Sequence, residues 1–139
     1  MTLKIEDKIE LAKYRIEKAK RILDDAQKLF EFNSYDSAVN RAYYAILTAS
    51  RALLILRGVD PETHEGVKTM LSKEYIKTGI LPAKFSEIFR SLSAKGTDSD
   101  YGDFIEITFE EAKDSLEKAK KFVDVVSETL EKTIKEMGF

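Results

Sequence analysis

Along the first thirty positions, apolar residues return at alternating steps of four and three: Ile5, Ile9, Ala12, Ile16, Ala19, Leu23, Ala26 and Phe30. This is the repeat of one helical face, so the spacing predicts a helix over residues 3–32 that buries a single seam beneath a surface of Lys and Glu. Asn33-Ser34 ends it and offers a cap to the next element. From Tyr35 to Arg57 the pattern thickens. Ala38, Ala42, Ala45, Ala49 and Ala52 form a stripe of small residues, Val39, Tyr43, Ile46 and Leu53 form another beside it, and Leu47 and Leu54 widen it further. A helix that is apolar on most sides belongs at the centre of a fold, and alanines let its neighbours come close. Gly58 stands where a left-handed residue would end it.

Asp60-Pro61-Glu62-Thr63 reads as a turn and helix start, followed by a short helix over residues 64–75 with Val67, Met70 and Leu71 inward. A second short helix begins near Pro82, buries Phe85, Ile88, Phe89 and Leu92, and ends near Lys95-Gly96. The stretch from Gly96 to Ile107 is irregular and rich in Asp and Ser, and a loop of that length inside a small domain is a first place to look for function. Thr108-Phe109-Glu110-Glu111 has the spacing of a capping box and opens a last helix with Ala112, Leu116, Ala119, Val123, Val126, Leu130 and Met137 on one face. Similar short strings, Glu17-Lys18-Ala19-Lys20 and Glu117-Lys118-Ala119-Lys120, fit two outer staves of one bundle better than a duplication, because nothing between them repeats. The expected fold is therefore all-α: an antiparallel up-and-down bundle of three long helices with two additional short ones, forming one domain over residues 1–139.

Composition narrows the chemistry. The chain has 23 basic and 25 acidic residues, so any nucleic-acid binding must come from a local arrangement rather than a global positive field. The absence of cysteine removes disulfides, thiolate nucleophiles and thiolate metal sites together. No apolar run has membrane-spanning length and the charged start lacks a signal peptide's apolar centre, so a cytoplasmic protein without a membrane partner is expected. Asn and Gln are scarce beside Lys and Glu, a bias that also occurs in heat-resistant proteins. There is no glycine-rich phosphate loop, nucleophilic serine motif or metal-binding pair of histidines, and no cofactor is implied. Asp98, Asp100 and Asp103 do not have calcium-loop spacing and are joined by no His or Cys, so they read as a solvated acidic loop and no metal is expected.

One polar stripe interrupts the central helix. Arg41, Tyr44, Thr48 and Arg51 advance by three, four and three residues and so share a face. Arginine offers a planar fork to phosphate oxygens and tyrosine a ring on which a base can stack, a combination suited to a nucleotide or single-stranded RNA. The same residues also have a packing explanation, with the arginines paired to acids across the bundle or a dimer and Tyr44 in the core. His64, the only histidine, has the right intrinsic pKa for proton transfer near neutrality, but its place in a first helical turn equally suits capping or packing.

The run Tyr35-Asp36-Ser37-Ala38-Val39-Asn40-Arg41-Ala42-Tyr43-Tyr44-Ala45-Ile46, continuing through Ala49-Ser50-Arg51-Ala52-Leu53-Leu54, resembles the second helix of small prokaryotic HEPN proteins. Gly58, Thr63-His64-Glu65-Gly66-Val67 and Asp100-Tyr101-Gly102-Asp103 follow in the family's order. The resemblance implies a helical bundle, usually a homodimer, often made beside a small nucleotidyltransferase in toxin–antitoxin or stress systems. It also implies, for many members, metal-independent ribonuclease activity from an Arg followed four to six residues later by a His. This chain departs from that pattern. Seven residues after Arg41 stands Thr48, the region before Tyr101 reads Ala94-Lys95-Gly96-Thr97-Asp98-Ser99-Asp100, and no Arg lies four to six residues before His64. Two functions stay open. One is a non-catalytic or weakly active HEPN protein that binds RNA, a nucleotide or a nucleotidyltransferase through the Arg41–Tyr44 face. The other is a ribonuclease toxin using Arg41 with His64 or Tyr101.

Overall fold

Two long helices, α1 (Ile5–Glu31) and α2 (Tyr35–Leu56), lie side by side because only residues 32–34 join them, which makes them antiparallel neighbours. The reversal does not use the serine cap that Asn33-Ser34 suggests. Asn33 takes left-handed backbone at φ 63°, the N–H groups of Asn33 and Ser34 donate back to Phe30 and Leu29 carbonyls at 2.9 Å each, and the Ser34 side chain makes no capping bond. Asparagine tolerates that conformation well enough to close a helix as glycine does. The computed structural model describes residues 3–98 and 106–139, and within these the chain forms helices and no strand. After α2 come α3 (His64–Leu71), a single wide π turn (Ser72–Ile76), α4 (Lys84–Asp98) and α5 (Phe109–Glu136).

The central position expected for α2 is realised: α1, α3, α4 and α5 all pack against it. Its small-residue stripe is fully enclosed, from Ala38 through Ala52. Beyond its first turn, only Asn40, Arg41, Tyr44, Thr48 and Arg51 escape full burial. α5 is opened by the expected capping box, with Glu111 N–H donating to Thr108 Oγ1 at 3.1 Å and Thr108 N–H to Glu111 Oε1 at 3.4 Å. It buries Phe122 and Ile134 in addition to the expected face. Phe122 stacks on Phe85 with centroids 4.7 Å apart, which ties α5 to α4.

Two expectations about the shorter helices change. The helix that starts at His64 does not run evenly to Tyr75 but widens after Leu71 into the π turn, placing Tyr75 so that its hydroxyl donates to the Leu53 carbonyl at 2.6 Å. The next helix does not stop near Lys95-Gly96. It carries Gly96 inside it and continues to Asp98, because a methyl group at Gly96 would lie 2.8 Å from Tyr43 Cβ: the glycine is a close-approach residue rather than a terminator. Residues 99–105 of the irregular stretch, including Asp100, Tyr101 and Asp103, and the side chain of Asp98 lie outside the described residues. No helix among the described residues is long and apolar enough to cross a membrane.

Candidate functional site

The open stripe of α2 becomes a site because the α2–α3 connection folds back over it. Gly58 leaves α2 in left-handed backbone at φ 74°. Asp60 is then held by a bidentate pair with Arg15 of α1, at 3.0 and 3.2 Å, while the same guanidinium donates to the Arg51 carbonyl at 3.3 Å. Arg51 in turn reaches the Glu62 carbonyl at 3.5 Å. Thr63 caps α3 by accepting from Gly66 N–H at 2.9 Å, which fixes the helix whose first residue is His64. Arg15 is thus a structural anchor for the site that the seam pattern of α1 did not single out.

The imidazole of His64 meets the rings of Tyr43 and Tyr44 edge-on, with both centroids at 5.7 Å. On the far side of this cluster the Arg41 guanidinium lies 4.9 Å from the Tyr44 centroid, a cation–π contact. Arg41 also donates to Asn40 Oδ1 at 3.3 Å, and Asn40 donates to the Gly96 carbonyl at 3.0 Å, linking the stripe to α4. Within one chain the arginines do not pair with acids across the bundle: neither Arg41 nor Arg51 forms an ion pair among the described residues. His64 is exposed, and among the described residues no hydrogen bond or ion pair holds its ring nitrogens. Thr48 contributes least, since its hydroxyl is spent on the Tyr44 carbonyl at 2.8 Å.

Two buried polar atoms here lack a hydrogen-bond partner among the described residues: the Tyr43 hydroxyl and Arg51 Nε. Burial pushes the Tyr43 pKa up; the neighbouring Ser93 hydroxyl and the Arg51 charge act against that rise without reversing it. Ser93 stands close enough to perturb the phenol, but the two do not meet in hydrogen-bonding geometry, so we treat the phenol as unpartnered. Unpaired buried donors cost stability, and two of them on the one helix that carries the open stripe mark a place shaped for something other than packing.

The structure therefore assembles Arg41, Tyr44, Arg51 and His64 around Tyr43, which the sequence pattern placed in the core. Tyr101 lies outside the described residues. Counted by intervening residues, Arg57 precedes His64 with six between them, a spacing the sequence reading passed over. Its guanidinium is engaged elsewhere, over the Tyr75 ring at 4.7 Å and on Glu74 at 3.4 Å. Among the described residues, no three metal-ligating side chains gather into a metal site.

An all-α bundle with a central helix open along one aromatic and cationic stripe, and a histidine laid over it, defines the class. The chain belongs to the HEPN domain family, whose model matches residues 12–130. A UPF0332 protein of Thermotoga maritima is 31% identical over 90% of this chain and 95% of its own length. A protein of Methanocaldococcus jannaschii that carries the name "Putative toxin" is 37% identical over 89% of this chain and 86% of its own. A second protein of that organism with the same kind of name is 32% identical over 86% of this chain and 88% of its own.

Proposed function

We propose that this protein is a HEPN member that binds RNA or a nucleotide through the α2 stripe and works beside a small nucleotidyltransferase in a toxin–antitoxin or stress system. The observation that carries the binding is the pattern of exposure on α2. Past its first turn, the helix is open only at Asn40, Arg41, Tyr44, Thr48 and Arg51, and the cations on that strip have no acidic partner among the described residues. An arginine fork beside an aromatic face suits a phosphate next to a stacked base. The toxin-named relatives support the system, and the nucleotidyltransferase partnership rests on the family resemblance. Fluorescence anisotropy with a labelled single-stranded RNA and with adenosine monophosphate is the test. Arg41→Ala is expected to weaken binding about tenfold, the loss of one charge-assisted contact. Unchanged affinity would remove the stripe from the function.

The ribonuclease reading is favoured by one observation: the Tyr44 ring meets both the Arg41 guanidinium, 4.9 Å from its centroid, and the His64 ring, 5.7 Å away. Metal-independent cleavage needs a base for the 2′-hydroxyl, a cation for the phosphate and an acid for the leaving oxygen. Arg41 and Arg51 supply only the cation, which leaves His64 as the one imidazole among the described residues to carry both proton transfers. We therefore expect the isolated protein to leave total RNA intact. Cleavage abolished by both Arg41→Ala and His64→Ala would establish the toxin reading instead. A homodimer is proposed from the family alone. The apolar surface of α2 offers it no support, because that surface is covered within one chain.

A further inference from the structure

Beside the α2 stripe, on the far side of His64, α3 and α4 enclose a cleft of about 200 Å³ lined by His64, Glu65, Lys68, Phe89, Arg90, Ser93 and Ala94. Phe89 lines it, and the buried Tyr43 ring meets Phe89 edge-on at 6.0 Å without itself lining the cleft. The Tyr43 hydroxyl, near enough to Ser93 to be perturbed by it, has no hydrogen-bond partner among the described residues. Lys68, Arg90 and His64 contribute the cationic or protonatable groups. Glu65 contributes the one carboxylate, which is 78% exposed and 3.7 Å from the Lys68 ammonium. Arg90 makes no ion pair among the described residues.

We propose that this cleft is a phosphate-binding pocket, in which Lys68 and Arg90 hold the phosphate oxygens of a nucleotide or an RNA 5′ end while Ser93 and His64 donate hydrogen bonds. The volume suits that group. The cleft has room for a phosphate with a few waters. A base belonging to the same ligand would lie outside it, on Tyr44. Tyr43 is a positioning residue: the phenol and Ser93 do not bond in the unliganded protein, and a small turn of Ser93 that aims its proton at the phosphate would let its oxygen accept from the phenol. The inference rests on the nucleotide-binding reading for its biological meaning, but its test does not depend on that reading.

His64 is the only histidine in the chain, so its Cε1–H group gives one resolved NMR resonance that reports on the cleft. The protein would be titrated at constant pH and ionic strength with inorganic phosphate, with adenosine monophosphate, with adenosine, and with chloride as the control for screening. Phosphate and the monophosphate are expected to move the resonance saturably, with chloride inert. Lys68→Ala with Arg90→Ala should weaken phosphate binding more than tenfold, since each charge-assisted hydrogen bond is worth about 1.5–3 kcal/mol. Tyr43→Phe, which keeps the ring and the packing, should weaken phosphate severalfold, an effect a purely structural tyrosine would not show. A resonance indifferent to phosphate, or moved equally by chloride, overturns the pocket. If phosphate binds but RNA and adenosine do not, the α2 reading fails and the pocket stands. If RNA binds through Arg41 and phosphate alone does not bind, the reverse holds.

Discussion

At the scale of single residues, two buried tyrosines separate structure from function. Tyr75 donates to the Leu53 carbonyl, in the last turn of α2, where helical bonding runs out and a carbonyl needs an outside donor. Tyr75→Phe is expected to cost about 1–3 kcal/mol in urea denaturation, because it strips a partner from a buried acceptor. Tyr43→Phe removes an unpaired hydroxyl instead, and stability should hold or rise by about 1 kcal/mol. Equal losses from both changes would show that Tyr43 is a satisfied core residue. Burial raises both phenol pKa values, so the folded state keeps each proton longer than the unfolded chain does. Their contribution is complete below about pH 10 and declines as pH climbs through the folded values, by about 1.4 kcal/mol per unit for each phenol. Alkaline destabilisation should accordingly be shallower in each Phe variant than in the parent. None of this was legible in the sequence, where Tyr43 reads only as part of an apolar stripe. Whether a buried hydroxyl finds a partner depends on Leu53 for Tyr75 and on Ser93 for Tyr43, each far from it along the chain.

At the scale of elements, the long helices were legible because their information is local. A seam repeating every three and four residues defines α1, and Thr108 with Glu111 defines the start of α5, so both can be read without knowing what packs where. Gly96 was misread for the opposite reason. Glycine in a helical pattern signals a terminus unless another backbone or side chain needs the space, and the neighbour that needs it, Tyr43, is on α2. Gly96→Ala gives a direct test. Helix propensity alone would make this change favourable by about 1 kcal/mol, whereas a methyl group forced to 2.8 Å from Tyr43 Cβ must push α4 from α2 at a cost of about 1–3 kcal/mol. We expect a net loss of stability together with a displaced His64 resonance, since Tyr43 underlies that ring. A more stable variant with an unmoved resonance would show that α4 ends early, as the sequence pattern suggests. The π turn is a similar case: its extra residue per turn brings Tyr75 under α2, and no period in Ser72–Ile76 announces it.

At the scale of the whole molecule, charge decides how a polyanion can be held. With 23 basic against 25 acidic residues the protein presents no general attraction to a polyanion, and the binding proposed for it depends on a few cations that converge in space. Arg41 and Arg51 come from the α2 stripe, and Lys68 and Arg90 from the adjoining α3–α4 cleft. Each phosphate neutralised on a single strand releases counterions and contributes about −0.7 to the slope of log affinity against log salt. Lys68 and Arg90 share one phosphate, so with one each on Arg41 and Arg51 three at most are neutralised and the slope is no steeper than about −2, well short of what a broad basic face would give. Arg41→Ala should make it shallower by about 0.7, and Lys68→Ala with Arg90→Ala by about the same, with the remaining affinity carried by stacking on Tyr44. Anisotropy titrations of a short single-stranded RNA over a series of chloride concentrations measure these slopes. A parent slope much steeper than about −2 would mean that surface lysines outside the site hold the strand, and a flat one that no phosphate is held at all. Changes that follow the named residues in the stated proportion would place the strand across both the α2 stripe and the α3–α4 cleft, with His64 between them.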